Sequence, residues 1–186
     1  MTGNPIIKSG VRILRPSEYE TLRKVLKPQQ QILVDSLLLT GMRYEEILRF
    51  REHEEWMDGN SIHLPEWAQK KVKRRQLERW IRLSIRGKAV IPNLFLISVP
   101  QRSSFDHSLR RWVLRTFKSY NLDPAKISAK TFRKTWDSWL MAYYDKAEYI
   151  YLSQGHNQMT SLRHYLGIPF TEEDKLGMRD WVEGWI

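Results

Sequence analysis

Apolar positions along the chain recur mainly at helical spacing. Val34, Leu37, Leu38 and Gly41 follow an i, i+3, i+4, i+7 pattern, and Leu33 and Leu39 widen that face. A central, buried helix is therefore predicted from about Gln29 to Thr40. Pro16-Ser17-Glu18 opens an earlier helix, to about Lys27, with proline in its first turn. Gly41 reads as a stop, and a further helix follows from about Arg43 to Arg51. Phe105, Leu109, Trp112, Val113, Thr116 and Tyr120 predict a helix over about 104–120. Ser128 is placed to cap the next one, striped by Phe132, Trp136, Trp139, Leu140 and Tyr143. Short helices are expected over 145–152 and, beyond the break at Gly155, from about Asn157 to Tyr165. Thr171 with Asp174 resembles a capping box for a last helix, whose apolar face is Met178, Trp181, Val182 and Trp185.

Period-two alternation is confined to Ser61–Leu64 and to 79–84, which predict two strands of a small antiparallel sheet after the turn Asp58-Gly59-Asn60. Residues 1–15 read as an irregular lead-in. The stretch 86–101 shows no clear period beyond a turn at Ile91-Pro92-Asn93. The predicted fold class is mainly α with a small antiparallel β-sheet (α+β).

Composition changes this picture in four ways. The 186 residues, 41% of them hydrophobic, suffice for one cored domain with at most a small appendage. The absence of cysteine excludes disulfides and thiolate metal sites. Asp35 and Ser36 break the longest apolar runs, well short of the ~20 residues that span a bilayer, and the N-terminus has no signal-peptide core. A cytoplasmic protein is expected. The formal charge of +10, from 31 Lys and Arg against 21 Asp and Glu, favours a polyanionic partner. That partner is nucleic acid or an anionic membrane surface. The membrane reading calls for basic, apolar-faced helices, whereas the densest basic cluster falls between the two predicted strands.

Four segments carry candidate chemistry. In Thr40-Gly41-Met42-Arg43-Tyr44-Glu45-Glu46, an arginine just past a helix break can aim its planar fork at a phosphate, and Glu46 can hold the guanidinium. Alone, the fragment is more commonly a surface ion pair. The segment 68–88 holds Lys70, Lys71, Lys73, Arg74, Arg75, Arg79, Arg82, Arg86 and Lys88 against Glu78. Charge so one-sided suits a phosphate backbone, the competing reading being a self-repelling loop. Lys130 and Arg133 stand at i and i+3 of a helix and can face one site, although such a pair is commonly just a polar helix side. Last, Gly155-His156 precedes Tyr165 by nine residues, with His156 at a helix start that favours an anion. A lone helical tyrosine is more often a packing residue. The histidines lack zinc-binding spacing, and neither a phosphate loop nor a nucleophile elbow is present.

Together and in this order, the four segments resemble the tyrosine recombinase (integrase) family across about residues 16–170. That family carries an arginine in a Thr-Gly-x-Arg-x-x-Glu box, a hairpin lysine, a His-x-x-Arg box, and a Gly-His followed nine residues later by tyrosine. The boxes look most like those of archaeal virus and plasmid integrases. Two departures stand out. Lys130 occupies the usual His position, and it is a poor general base while protonated. The hairpin lysine is not unique: matching Glu78–Leu83 to the family's second hairpin strand favours Lys73, then Lys71, then Lys70.

The resemblance implies a catalytic domain over 16–170 and a C-terminal helix over 171–186 that is a candidate for exchange between protomers. Members usually carry an N-terminal helical domain as well. The few residues before the first core helix imply an excised catalytic domain or an unusually short member. Tyr165 is implied as nucleophile, Arg43 and Arg133 as stabilisers of transition-state charge with Lys130 and His156 assisting, and Lys73 as general acid. Glu46 supports Arg43. Lys70, Lys71, Arg74, Arg75 and, on the 104–120 helix, Arg111 and Arg115 are implied DNA contacts. The implied partners are double-stranded DNA in the nucleoid and further copies of the chain, as dimer or tetramer, with no metal or cofactor. Rival expectations are a type IB topoisomerase-like DNA-relaxing domain and a catalytically inactive DNA-binding module.

Overall fold

The computed structural model describes residues 4–69, 77–144, 146–155 and 167–186. The chain opens with a hairpin, β1 (Ile6–Lys8) and β2 (Val11–Ile13). Helices α1 (Pro16–Lys24), α2 (Pro28–Thr40) and α3 (Tyr44–Phe50) follow. A three-stranded antiparallel sheet is built from β3 (Met57–Asp58), β4 (Ser61–Leu64) and β5 (Arg79–Arg82), in that order. The rest is helical: α4 (Ile85–Val90), a 3-10 helix (Ile91–Leu96), α5 (Arg102–Ser119), α6 (Ala129–Tyr143), α7 (Ala147–Gln154) and α8 (Glu172–Val182).

Two helices make the centre. All eight residues from Leu33 to Thr40 are buried, as expected of a helix enclosed on every side. Helix α6 packs on α2 and also touches β2, α7 and α8. Its Phe132, Trp136 and Trp139 are fully buried. Pro28 starts α2 at its first turn, and Gly41 (φ 60°) ends it as the sequence predicts. In the sheet, Ile62 pairs with Ile81 and Leu64 with Arg79, so Ile62, Leu64, Arg79 and Ile81 share the inward face.

Several expectations are corrected. Residues 6–13 are a paired hairpin turning at Ser9 and Gly10, both at positive φ, rather than an irregular lead-in. Ile6 and Ile13 are buried, and Arg12 is buried as an ion pair with Glu18 of α1. The chain beyond β2 is stitched to α6: Leu14 N donates to Thr135 Oγ1 (3.0 Å), and Trp139 Nε1 donates to the Leu14 carbonyl (2.9 Å). The sheet gains a third strand, β3. The stretch 86–101 contributes α4 and the 3-10 helix, which buries Ile91 and Leu94. Helix α1 ends at Lys24, and the helix expected from Asp145 begins at Ala147. The helix expected over 157–165 lies outside the described residues.

Helix α8 packs in cis as part of the core. Met178, Trp181, Val182 and Trp185 are all buried, and Trp185 Nε1 donates to the Arg82 carbonyl (2.9 Å). Thr171 and Asp174 form the expected capping box, and Asp174 also pairs with Arg15 at the start of α1. No helix among the described residues is long and apolar enough to cross a membrane. Trp181 lies edge-on to Tyr19, with ring centroids 5.0 Å apart, and tilted against Trp139 at 6.2 Å. Trp181→Ala is expected to cost about 3–5 kcal/mol of folding stability, read from urea unfolding, because the indole volume is lost from a fully packed site.

Candidate active site

The site starts at the exit of α2. Thr40 turns its hydroxyl back to accept from Met42 N (3.1 Å), and Gly41 takes the left-handed conformation. A Cβ there would collide with the Gln154 side-chain amide, so glycine suits the position by space as well as by φ. This turn delivers Arg43 as the N-cap of α3. Three residues on, Glu46 reaches back, and its Oε2 accepts from Arg43 N (2.9 Å) while its Oε1 accepts from Arg43 Nη1 (2.7 Å). The side chain of Glu46 is fully buried, whereas that of Arg43 keeps 30% exposure. Glu46 therefore holds Arg43 toward solvent, as the spacing predicts.

Arg133, on α6, joins the same place by backbone contacts. Its Nη1 donates to the Gly41 carbonyl (2.7 Å) and its Nη2 to the Gln154 carbonyl (2.5 Å). Gln154, the last residue of α7, in turn donates from Nε2 to the Thr40 carbonyl (3.2 Å). The turn after α2, the middle of α6 and the end of α7 are thereby bonded at one point. Lys130, one turn before Arg133, is exposed at the start of α6.

A third cation completes the cluster. Arg79 of β5 donates from Nη2 to Glu46 Oε2 (2.8 Å) and from Nη1 to Gln69 Oε1 (2.5 Å). Burial pushes the Glu46 carboxyl up, but the positive charges of Arg79, Arg133 and Arg43 outweigh it and hold the group at about 2, against an ordinary 4.5. Burial pushes the Arg133 guanidinium down to about 10; nearby Asp137 opposes the shift, while Arg79 and Arg43 add to it. Arg133 therefore stays charged at neutral pH, and three guanidinium groups surround one carboxylate. Among the described residues no group of three or more His, Asp or Glu is gathered as a metal ion would need. What the cluster offers is guanidinium N–H groups beside an excess of positive charge, a setting for a phosphate.

The predicted residues divide as follows. Arg43, Glu46 and Arg133 come together. Lys70, Lys71, Lys73, Arg74, Arg75, His156 and Tyr165 lie outside the described residues. Arg111 and Arg115 are exposed along α5 beside Arg110 and Lys118. The basic run 68–88 is corrected in part. Arg79 is buried against Glu46, Arg86 lies flat on Trp181 at 3.3 Å, and Arg82 lies over Tyr149 at 5.1 Å. Arg79 and Gln154 were missed. Strand phase held the signal for Arg79, which alternates in step with the buried Ile81 and Leu83.

Glu46→Gln should destabilise the protein at neutral pH by about 3–5 kcal/mol, since it leaves buried arginine donors without their counter-charge. The sign of the pH dependence follows from the depressed carboxyl. Its stabilisation is complete above 4.5 and is lost as pH falls toward about 2. Chemical denaturation of both proteins from pH 7 to pH 2 should show the wild-type advantage shrinking across that window.

No protein-family model and no curated protein matches the chain. Solved structures do. The chain is similar to the Tn1549 transposon integrase in complex with circular intermediate DNA, with a TM-score of 0.71 at 14% identity over 94% of this chain and 67% of that one. A single-residue variant of that integrase, bound to transposon right end DNA, gives 0.68 at 17% identity over 94% of this chain and 66% of the other. A second variant, with circular intermediate DNA, gives 0.70 at 14% identity over 96% and 66%. The chain thus spans about two thirds of the integrase chains that it matches. It shares the fold of these integrase structures, mainly helical with small antiparallel sheets.

Proposed function

We propose that this chain is the catalytic domain of a site-specific DNA recombinase, which cleaves and rejoins DNA through a phosphotyrosyl intermediate and integrates or excises viral or plasmid DNA. One observation carries the reading. Arg43 and Arg133, far apart in sequence, are locked at one point by the Glu46 carboxylate and by the carbonyls of Gly41 and Gln154. The chain leaves that point at Gly155, immediately before His156. The fold shared with DNA-bound integrases supports the same reading, and the sequence resemblance to archaeal virus and plasmid integrases supports the kind of DNA.

In this mechanism the Tyr165 oxygen attacks phosphorus in line. A 3′-phosphotyrosyl bond forms, the bond to the 5′-oxygen breaks, and Lys73 protonates the leaving oxygen. A 5′-hydroxyl, from the same or a second strand, reverses the step, so bond energy is conserved. Arg43 and Arg133 meet the negative charge that grows on the nonbridging oxygens, aided by His156 and Lys130. Lys70, Lys71, Arg74 and Arg75 contact the DNA backbone, and so does the exposed stripe of Arg111 and Arg115. Protomers assemble on DNA. A second reading is a DNA-binding module without activity, favoured by Lys130 in place of a general base.

A nicked suicide duplex followed by a denaturing gel separates the readings. Wild type is expected to form a covalent adduct that Tyr165→Phe abolishes, while an inactive module forms none and loses nothing on that change. Exchange between two defined sites, beyond relaxation of supercoils, separates a recombinase from a topoisomerase-like enzyme. Arg43→Ala should slow adduct formation by a factor on the order of 10²–10³ with DNA affinity nearly unchanged. Arg133→Ala should do the same and also destabilise the fold, since it strips two buried carbonyls of their donor.

A further inference from the structure

Arg79 is the one arginine of the cluster to which the proposed chemistry assigns no work. Its residue is 3% exposed, too buried to reach a phosphate of bound DNA. It makes three contacts instead. Nη2 occupies Glu46 Oε2 and leaves Oε1 to Arg43. Nη1 donates to Gln69 Oε1, while Gln69 Nε2 donates to the Leu77 carbonyl. Gln69 and Leu77, the described residues on either side of 70–76, are thereby tied to each other and to Arg79. Third, Cδ of Arg79 lies 3.1 Å from where a Cβ on Gly155 would stand, so the turn just before His156 rests on its methylene stem. Gly155 holds a left-handed conformation (φ 63°), and any side chain there meets both backbone strain and Arg79.

Both bonds that Arg43 makes to Glu46, from its backbone N–H and from Nη1, belong to one end of α3 and can shift together with it. The Arg79 guanidinium holds the same carboxylate from β5, a second element, and so fixes it against the sheet. We propose that Arg79 is a positioning residue for phosphoryl transfer: it fixes the Glu46 carboxylate that aims Arg43, and it seats Gly155 and the ends of the basic segment against the same point without touching DNA. The inference rests on the recombinase reading and gives Arg79, which the charge-dense segment 68–88 offers only as a phosphate contact, a place inside that site.

The test uses the full chain, with Arg79→Met, Arg79→Lys and wild type compared on the suicide duplex. Three quantities are read: the rate of adduct formation at saturating DNA per folded molecule, the DNA Kd as a function of salt, and the melting temperature. Arg79→Met should slow the saturating rate by a factor on the order of 10², the effect of a misplaced reacting geometry, with Kd and its salt slope unchanged. Arg79→Lys keeps the charge and one bond and should recover part of that rate. It serves as the test variant if Arg79→Met does not fold. A phosphate-contacting Arg79 would instead flatten the salt slope by about 0.9 and leave the saturating rate intact, which overturns the proposal. A purely structural Arg79 would lower the melting temperature at an unchanged rate per folded molecule, and that also overturns it. Absence of any adduct from wild type would sink the recombinase reading and the positioning role together. A wild-type adduct with unchanged variants would sink the positioning role alone.

Discussion

The arrangement around Glu46 constrains the rest of this structure. A fully buried carboxylate is costly to leave charged, and it is tolerated only where several donors surround it. Here the donors come from two elements, Arg43 opening α3 and Arg79 on β5, and Arg133 adds its positive charge from α6. Helix, sheet and central helix must therefore sit at fixed distances from one carboxylate. Three guanidinium charges against one carboxylate leave a local positive excess, partly offset by Asp137 near Arg133. A phosphodiester is the chemical partner such an excess suits.

The scaffold leaves the arginines with different freedom. Arg133 is 8% exposed, with donors directed at the carbonyls of Gly41 and Gln154, so it serves the fold and the site at once. Arg43 keeps more of its surface open, while its backbone and one guanidinium nitrogen are fixed by Glu46. Outside the cluster, positive charge is used structurally too. Arg12 stabilises the opening hairpin through Glu18, and Arg86 covers the face of Trp181. The 31 Lys and Arg are thus not all surface charges: some are paired or stacked inside the protein.

Periodicity made the long helices legible. In α2, α5, α6 and α8 an apolar stripe sustained over several turns is driven to the core whatever the neighbours are. The hairpin 6–13 was not legible, because a period of two cannot declare itself within strands of three residues. Its formation depends on Arg12 finding Glu18 and on Leu14 bonding to α6. In the 3-10 helix, Ile91 and Leu94 are three residues apart, a spacing that a short irregular stretch also shows.

By itself the sequence determined the long helices, the two main strands, the basic character, and the pairing of Arg43 with Glu46, since a three-residue separation decides who touches whom. It also placed Arg133 on the inner helix. Only the tertiary structure decided that Arg133 bonds to a carbonyl 92 residues away and that Arg79 turns inward to a carboxylate 33 residues before it. Local spacing fixes contacts within an element. Contacts between elements depend on how strand and helix faces pack, and there a buried arginine and a DNA-facing one look alike until the partner carboxylate is in place.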